Sequence, residues 1–291
     1  MEELKQIEKI FSRPEHAGMV GDGFRVYNYF PSGYKIRERL SPFLMLDFNP
    51  AYDFGVSDVP RGVDVHPHKG FETVTIAYKG SVEHYDSSGN SGIIHPGDVQ
   101  WMTAGAGILH KEFHEKEFSK KGGPFQMIQL WVNLPKKDKL TAPRYQALVD
   151  SKMQKVALPA NAGEVKVIAG DFNGAKGSAS TFTEINLFDI YLKANGEMKT
   201  GIPSTHNTAI LVVEGDAEVN GKHAGTHSFV LFKNEGEEIS IKANEDSILL
   251  LLSGEPINEP IAQYGPFVMN TQQELQDTFR EYEAGKFGVL N

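Results

Sequence analysis

Apolar residues in this chain fall in short runs with a period near two, broken by Gly, Pro, Asn and Asp. Phe71–Gly80, Phe125–Leu134, Leu187–Gly196, Thr208–Gly221 and Ser247–Gly254 are the clearest of these runs. They are rich in β-branched and aromatic residues and bounded by turn formers. That combination predicts strands, because alternate side chains leave opposite faces of a pleated backbone. Many short strands at such spacing favour an all-β sandwich or barrel over a parallel α/β sheet.

The pattern occurs twice. In the first half a strand, the turn at Gly80, a second strand and Pro96-Gly97-Asp98 lead into a third. Thr208–Gly221 and His227–Ala243 repeat that order in the second half. This is a weak internal duplication and not a short solenoid period. Leu134–Gln146, with two prolines and several lysines, reads as an exposed linker between the halves. Two domains are therefore expected, residues 1–138 and 139–291. One helix is predicted near the end of the chain. Thr271 and Glu274 have the spacing of a capping box, Leu275, Phe279 and Tyr282 fall on one helical face, and Gly285 suits the residue after the C-cap. Core packing accounts for that stripe.

Composition changes the picture mainly by exclusion. Hydrophobic residues make up 40% of the chain and charged residues 23%, so an ordinary core can form. A formal net charge of -9 repels phosphate backbones, and direct nucleic-acid binding is not expected. The sequence has no cysteine, which excludes disulfides, thiolate metal sites and cysteine nucleophiles. Any transition metal must then rest on histidine and carboxylate. The N-terminal residues mix both charges without an apolar core, and no run of about 18 apolar residues occurs. A soluble, cytoplasmic protein without a membrane anchor is expected, or a nuclear one if the source is eukaryotic.

Candidate chemistry concentrates in two segments. Residues 64–72 read Asp-Val-His-Pro-His-Lys-Gly-Phe-Glu. On a strand, His66 and His68 leave the same face, and Glu72 has the same parity. Pro67 lacks an amide donor, so this strand should lie at an edge. About forty residues on, His110 and Glu112 share a face in the same way. Three imidazoles and one carboxylate can then converge on one ion with coordination positions left open. Such a mixed nitrogen and oxygen site suits Fe(II), Mn, Co, Ni, Cu or Zn. His114 shares the parity of His110 but precedes a highly polar stretch, and reads as solvated. His84, His95 and His16 lie beside turn residues. Trp101, Met102, Phe71 and Phe125 read as barrel core before cavity lining. His206, His223 and His227 repeat no four-ligand pattern, so the second half is expected to be metal-free with these histidines mostly exposed.

The same segments carry a family resemblance. DVHPHKGFETVTIAYKG resembles the first cupin motif in its pirin form, and HPGDVQWMTAGAGILHKEFH resembles the second. SPFLMLDF (Ser41 to Phe48) is similar to the pirin family's early strand, and Gly254 to Asn270 to its C-terminal signature. The resemblance spans about residue 41 to the end. It implies a bicupin: two antiparallel β-barrels of the double-stranded β-helix or jelly-roll type, face to face, with metal in the N-terminal one and a C-terminal helix. It assigns the ligands to His66, His68, His110 and Glu112, with Fe(II) as the first choice of metal. Glu72, a ligand in many other cupins, is placed outside the ligand set, where it can fix a histidine tautomer.

The resemblance implies three kinds of activity. Some members are quercetin 2,3-dioxygenases, which open a flavonol ring with O2. Glu112 would there also help remove the flavonol proton. Some eukaryotic members are metal-dependent transcription co-regulators, and some bacterial ones bind metabolic enzymes. A deep apolar pocket beside the ligands would favour the enzyme, with a flavonol-like aromatic substrate. A large exposed patch would favour a protein partner.

Overall fold

The period-two runs form strands throughout. The computed structural model describes residues 3–33 and 36–290. Its chain divides into two compact β units, each made of a seven-stranded and a four-stranded sheet. All strand pairings named in these four sheets are antiparallel. Each sheet is an open sequence of strands, so among the described residues each unit is a sandwich and not a barrel closed by hydrogen bonds. The architecture is that of a bicupin. No described helix is long and apolar enough to cross a membrane.

One unit comprises Ser151–Pro256 with residues up to Arg13 and Glu38–Pro42. Its core forms because alternate residues of the large sheet, such as Val165, Val167, Phe188, Ile190, Ile210 and Val212, turn to one side. There they meet Ile239, Ile241, Ala217 and Val219 of the small sheet. The strand Ile7–Phe11 pairs with Phe229–Phe232 at the edge of that large sheet.

The other unit comprises Pro14–Arg37, Phe43–Asp150 and Ile257–Asn291. Its large sheet includes Phe43–Phe54, Phe71–Lys79, Val99–Thr103 and Gly123–Asn133, and its small sheet orders Gly62–His68, Ile108–His114, Val82–Asp86 and Ser91–Ile94. The chain ends thus join units other than those given by the contiguous spans 1–138 and 139–291: the N-terminal strand belongs with the later half and the C-terminal helix with the earlier one. Gln272–Glu283 is that helix, and its Thr271/Glu274 capping box is complete. Leu275 is buried, and Phe279 stacks edge-on against Tyr264 and Phe267.

The segment expected as a linker is instead part of the fold. Arg144–Leu148 pairs with Val99–Thr103. Lys139 is buried, and its Nζ donates to Gly70 O (2.8 Å), Asn133 Oδ1 (2.7 Å) and Val268 O (2.9 Å). A basic residue reads as solvated from sequence, but three fixed acceptors replace its water here. Gly70 has φ +86°, and a Cβ there would lie 2.0 Å from the Val268 carbonyl oxygen, so glycine is required where the first histidine strand turns.

Candidate metal centre

Strand register assembles the histidines. Gly62–His68 and Ile108–His114 run antiparallel at one edge of the small sheet, with His110 opposite His66 and Ile108 opposite His68. Pro67 therefore sits on an edge strand, as its missing amide demands. Beyond the His110/His66 pair the register slips, and Glu112 faces Val63. This irregularity places one extra residue in the Gly62–His68 strand, in the manner of a β-bulge, which re-aims side chains. The Asp64 carbonyl lies 2.9 Å from His66 Nδ1. An Nδ1–H donated to that carbonyl leaves Nε2 of His66 as the free lone pair.

The three imidazoles converge. One ring nitrogen from each of His66, His68 and His110 lies within 4.8 Å of the others. Ring centroids are 4.9 Å apart for His66 and His68, 4.2 Å for His66 and His110, and 4.6 Å for His68 and His110. His68 and His110 are buried, and both nitrogens of His110 and Nδ1 of His68 have no hydrogen-bond partner among the described residues. A buried, unpaired polar atom costs about 1–3 kcal/mol. Three imidazoles facing one another with such atoms fit a cation, because neutral rings offer it their lone pairs. Burial holds both His68 and His110 well below the ordinary imidazole pKa, with the neighbouring imidazoles adding to the effect. That keeps the rings neutral, the form that ligates metal. The donor set fits a divalent ion of the Fe(II)–Zn series.

Glu112 stands beside this triad and outside the group of mutually close ligand atoms. It is buried, and Gln129 Nε2 donates to its Oε2 at 3.2 Å. Burial raises its pKa, against the opposing pull of His66 and the Gln129 bond. Glu72 points elsewhere. It is buried in the large sheet and accepts from Thr103 Oγ1 at 2.7 Å, with no hydrogen bond to a histidine among the described residues. Burial pushes its carboxyl up to about 7.

Several other histidines differ from their sequence expectation. His114 is fully buried, not solvated. Its ring stacks on Phe125 (4.6 Å), meets Phe24, Phe54 and Phe118 edge-on, and has Nε2 2.7 Å from the Gly23 carbonyl. Strand parity turned it inward, and the polar run that suggested exposure begins only at the next residue. His84 is also buried, stacked on Tyr145 at 4.5 Å with its Nε2 bonded to the phenol. His206 is buried beside Ser253, whereas His223 is exposed and paired with Asp216.

Two of the three histidines open into a cavity of about 380 Å³. His66, His68 and Glu112 are among its lining residues. Two neighbouring strands form a wall: Met45, Asp47 and Asn49 from one, Met127, Gln129 and Trp131 from the other. Each trio has period two, so one face of each strand supplies it. Phe24, Val20 and Val26 contribute further apolar surface. Phe71, Trp101, Met102 and Phe125 are buried and absent from the lining. The wall residues were missed by sequence reasoning. The signal was there: Asp47 and Asn49 are polar residues spaced by two, next to the apolar run Phe43–Leu46.

Comparison with known proteins agrees with this geometry. The Pirin family model matches residues 23–132, and the Pirin C-terminal cupin domain matches residues 187–288. A Pseudomonas aeruginosa protein named "Putative quercetin 2,3-dioxygenase" is 45% identical over 92% of this chain and 93% of its own length. The crystal structure of a quercetin 2,3-dioxygenase from Acinetobacter baumannii has a TM-score of 0.94 at 44% identity, covering 99% of this chain and all of that one (100%). The bacterial pirin YhhW of Escherichia coli, solved in complex with nickel(II), has a TM-score of 0.65 at 25% identity over 85% of this chain and 100% of that one. With both cupin units matched and the histidine triad in place, this chain belongs to the pirin family.

Proposed function

We propose that the protein is a mononuclear metal oxygenase of the quercetin 2,3-dioxygenase type. His66, His68 and His110 would hold the metal, Fe(II) first among the candidates, and Glu112 would complete the set. The observation that carries this reading is three convergent imidazoles, with His68 and His110 buried and carrying unpaired nitrogens, beside a mainly apolar cavity of about 380 Å³ that His66, His68 and Glu112 line. That volume lies within the roughly 300–1,000 Å³ of small-molecule sites. The names of the Pseudomonas and Acinetobacter relatives, and the nickel(II) held by YhhW, support the same reading.

When bound, the metal would acidify and orient a substrate hydroxyl and bring O2 beside it. The chain's own residues do the rest. Met45, Met127 and Trp131 offer flat apolar surface to an aromatic ring and exclude water from it. Glu112, whose carboxyl burial makes more basic than usual, would accept the flavonol proton while Gln129 holds one of its oxygens.

O2 uptake by iron-loaded protein with quercetin tests the proposal. Wild type should consume O2 and bleach the flavonol, and His66→Ala should not at matched total iron. Equal loss of flavonol in both would remove the enzymatic reading and leave a metal-dependent interaction protein in its place.

A further inference from the structure

His68 ends a strand that its own sheet supports on one side only. Ile108 lies opposite it on the neighbouring strand, and the other side is the edge of the small sheet. Pro67 before it has no amide to donate, and Gly70 turns the chain away at φ +86°. The His68 ring packs edge-on against Phe71 (5.1 Å) and Trp131 (5.4 Å), so where it points depends on where its backbone is held.

The support for the open edge comes from the far end of the sequence. Lys69 bridges to Phe267: its N donates to Pro266 O at 3.2 Å, and its O accepts from Val268 N at 3.0 Å. Pro266 lines the same cavity as His68. The Lys69 side chain is buried and runs to the helix Gln272–Glu283, where Nζ pairs with Glu281 Oε2 and lies 5.7 Å from the centroid of the Phe287 ring. The other oxygen of Glu281 is 3.8 Å from Lys286 Nζ, towards the surface. An ammonium this deep needs its carboxylate or water. With the carboxylate gone, reaching water would draw Lys69 off the Phe267 strand, and His68 would move with it across one peptide bond.

We propose that Glu281 is a positioning residue for the metal centre: through Lys69 it clamps the backbone at His68, so the C-terminal helix sets how long the site keeps its ion. This rests on His68 being a metal ligand, as proposed above.

Nickel(II) is the probe. Its release to excess chelator is timed well below the melting temperature of every variant, for wild type, Glu281→Gln, Lys69→Met and the double variant. Glu281→Gln should release nickel about 10- to 100-fold faster than wild type, the range for loss of a ligand's outer partner. Lys69→Met should also release it faster. Because the two side chains act as a unit, the double variant should stay within about 2-fold of Lys69→Met. A merely structural pair would lower the Tm of the metal-free protein and leave release from the folded protein at the wild-type rate, which overturns the proposal. A double variant whose rate shows the two single effects multiplied overturns it as well. Should one single variant not fold, the other decides, and release at the wild-type rate is again the refuting result. If wild type takes up no nickel(II), the clamp falls together with the metal reading. Tight binding by wild type with unchanged release from Glu281→Gln removes the clamp alone.

Discussion

Replacing the two candidate carboxylates separately should split metal retention from stability. Glu112 lines the cavity beside the histidine triad, held by Gln129 at 3.2 Å. Glu72 lies in the large sheet, bonded to Thr103 Oγ1 at 2.7 Å, and Thr103 in turn accepts from Arg144 Nε at 3.2 Å. Glu112→Ala removes a metal ligand on this assignment. Loss of an outer partner of a ligand costs about 10- to 100-fold in affinity, so loss of the ligand itself should exceed 100-fold. Glu72→Ala removes no ligand, and its metal affinity should stay within about 10-fold of wild type. It does strand the Thr103 hydroxyl in a dry sheet, which costs about 1–3 kcal/mol. For a domain of this size that lowers the Tm of the metal-free protein by roughly 2–10 °C. Chelator competition with elemental analysis reads the first quantity, with wild type holding one metal per chain, and calorimetry reads the second. If Glu72→Ala empties the site while Glu112→Ala leaves it full, the ligand assignment is wrong.

Two further outcomes follow from buried charge. Lys139→Met leaves three acceptors, two of them backbone carbonyls, without their donor; urea unfolding should show a loss of about 3 kcal/mol, and a variant as stable as wild type would contradict the three-bond reading. The Glu72 carboxyl titrates near 4.5 in the unfolded chain but is pushed up to about 7 in the fold. The unfolded state therefore releases the proton first, and native stability falls by up to roughly 3 kcal/mol as pH rises through that window. Glu72→Gln keeps an acceptor for Thr103 without the charge. It should be more stable than wild type above about pH 7 and converge with it near pH 4; a difference independent of pH would count against burial as the cause.

What the sequence made legible was whatever depends on local periodicity. The H-x-H and H-x-E spacings placed His66, His68 and His110 together because strand parity is fixed at two, and Pro67 marked the edge. The Thr271/Glu274 box located the helix because capping is a contact between near neighbours. Long-range facts were hidden. No local pattern shows that the N-terminal strand pairs with Phe229–Phe232, or that Lys139 finds three carbonyl-type acceptors from Gly70, Asn133 and Val268. The slip in register beyond His66 depends on one extra residue opposite Lys111, so which residue of the first histidine strand faces Glu112 could not be read from the spacing of either motif. His114 looked solvated because the following residues are charged, yet parity with His110 already pointed it inward.

If the His66–His68–His110 centre acts as proposed, it carries out dioxygenation and not a one-electron oxidation of flavonols by loosely held iron. Isotope scrambling distinguishes these directly. Iron-loaded protein is supplied with quercetin under a mixture of doubly labelled and unlabelled O2, and the ring-opened product is weighed by mass spectrometry. A dioxygenase inserts both atoms of one O2 molecule, so product should carry two labelled oxygens or none. Product dominated by a single labelled oxygen, or the same product distribution and rate from His66→Ala at matched iron, would contradict the account.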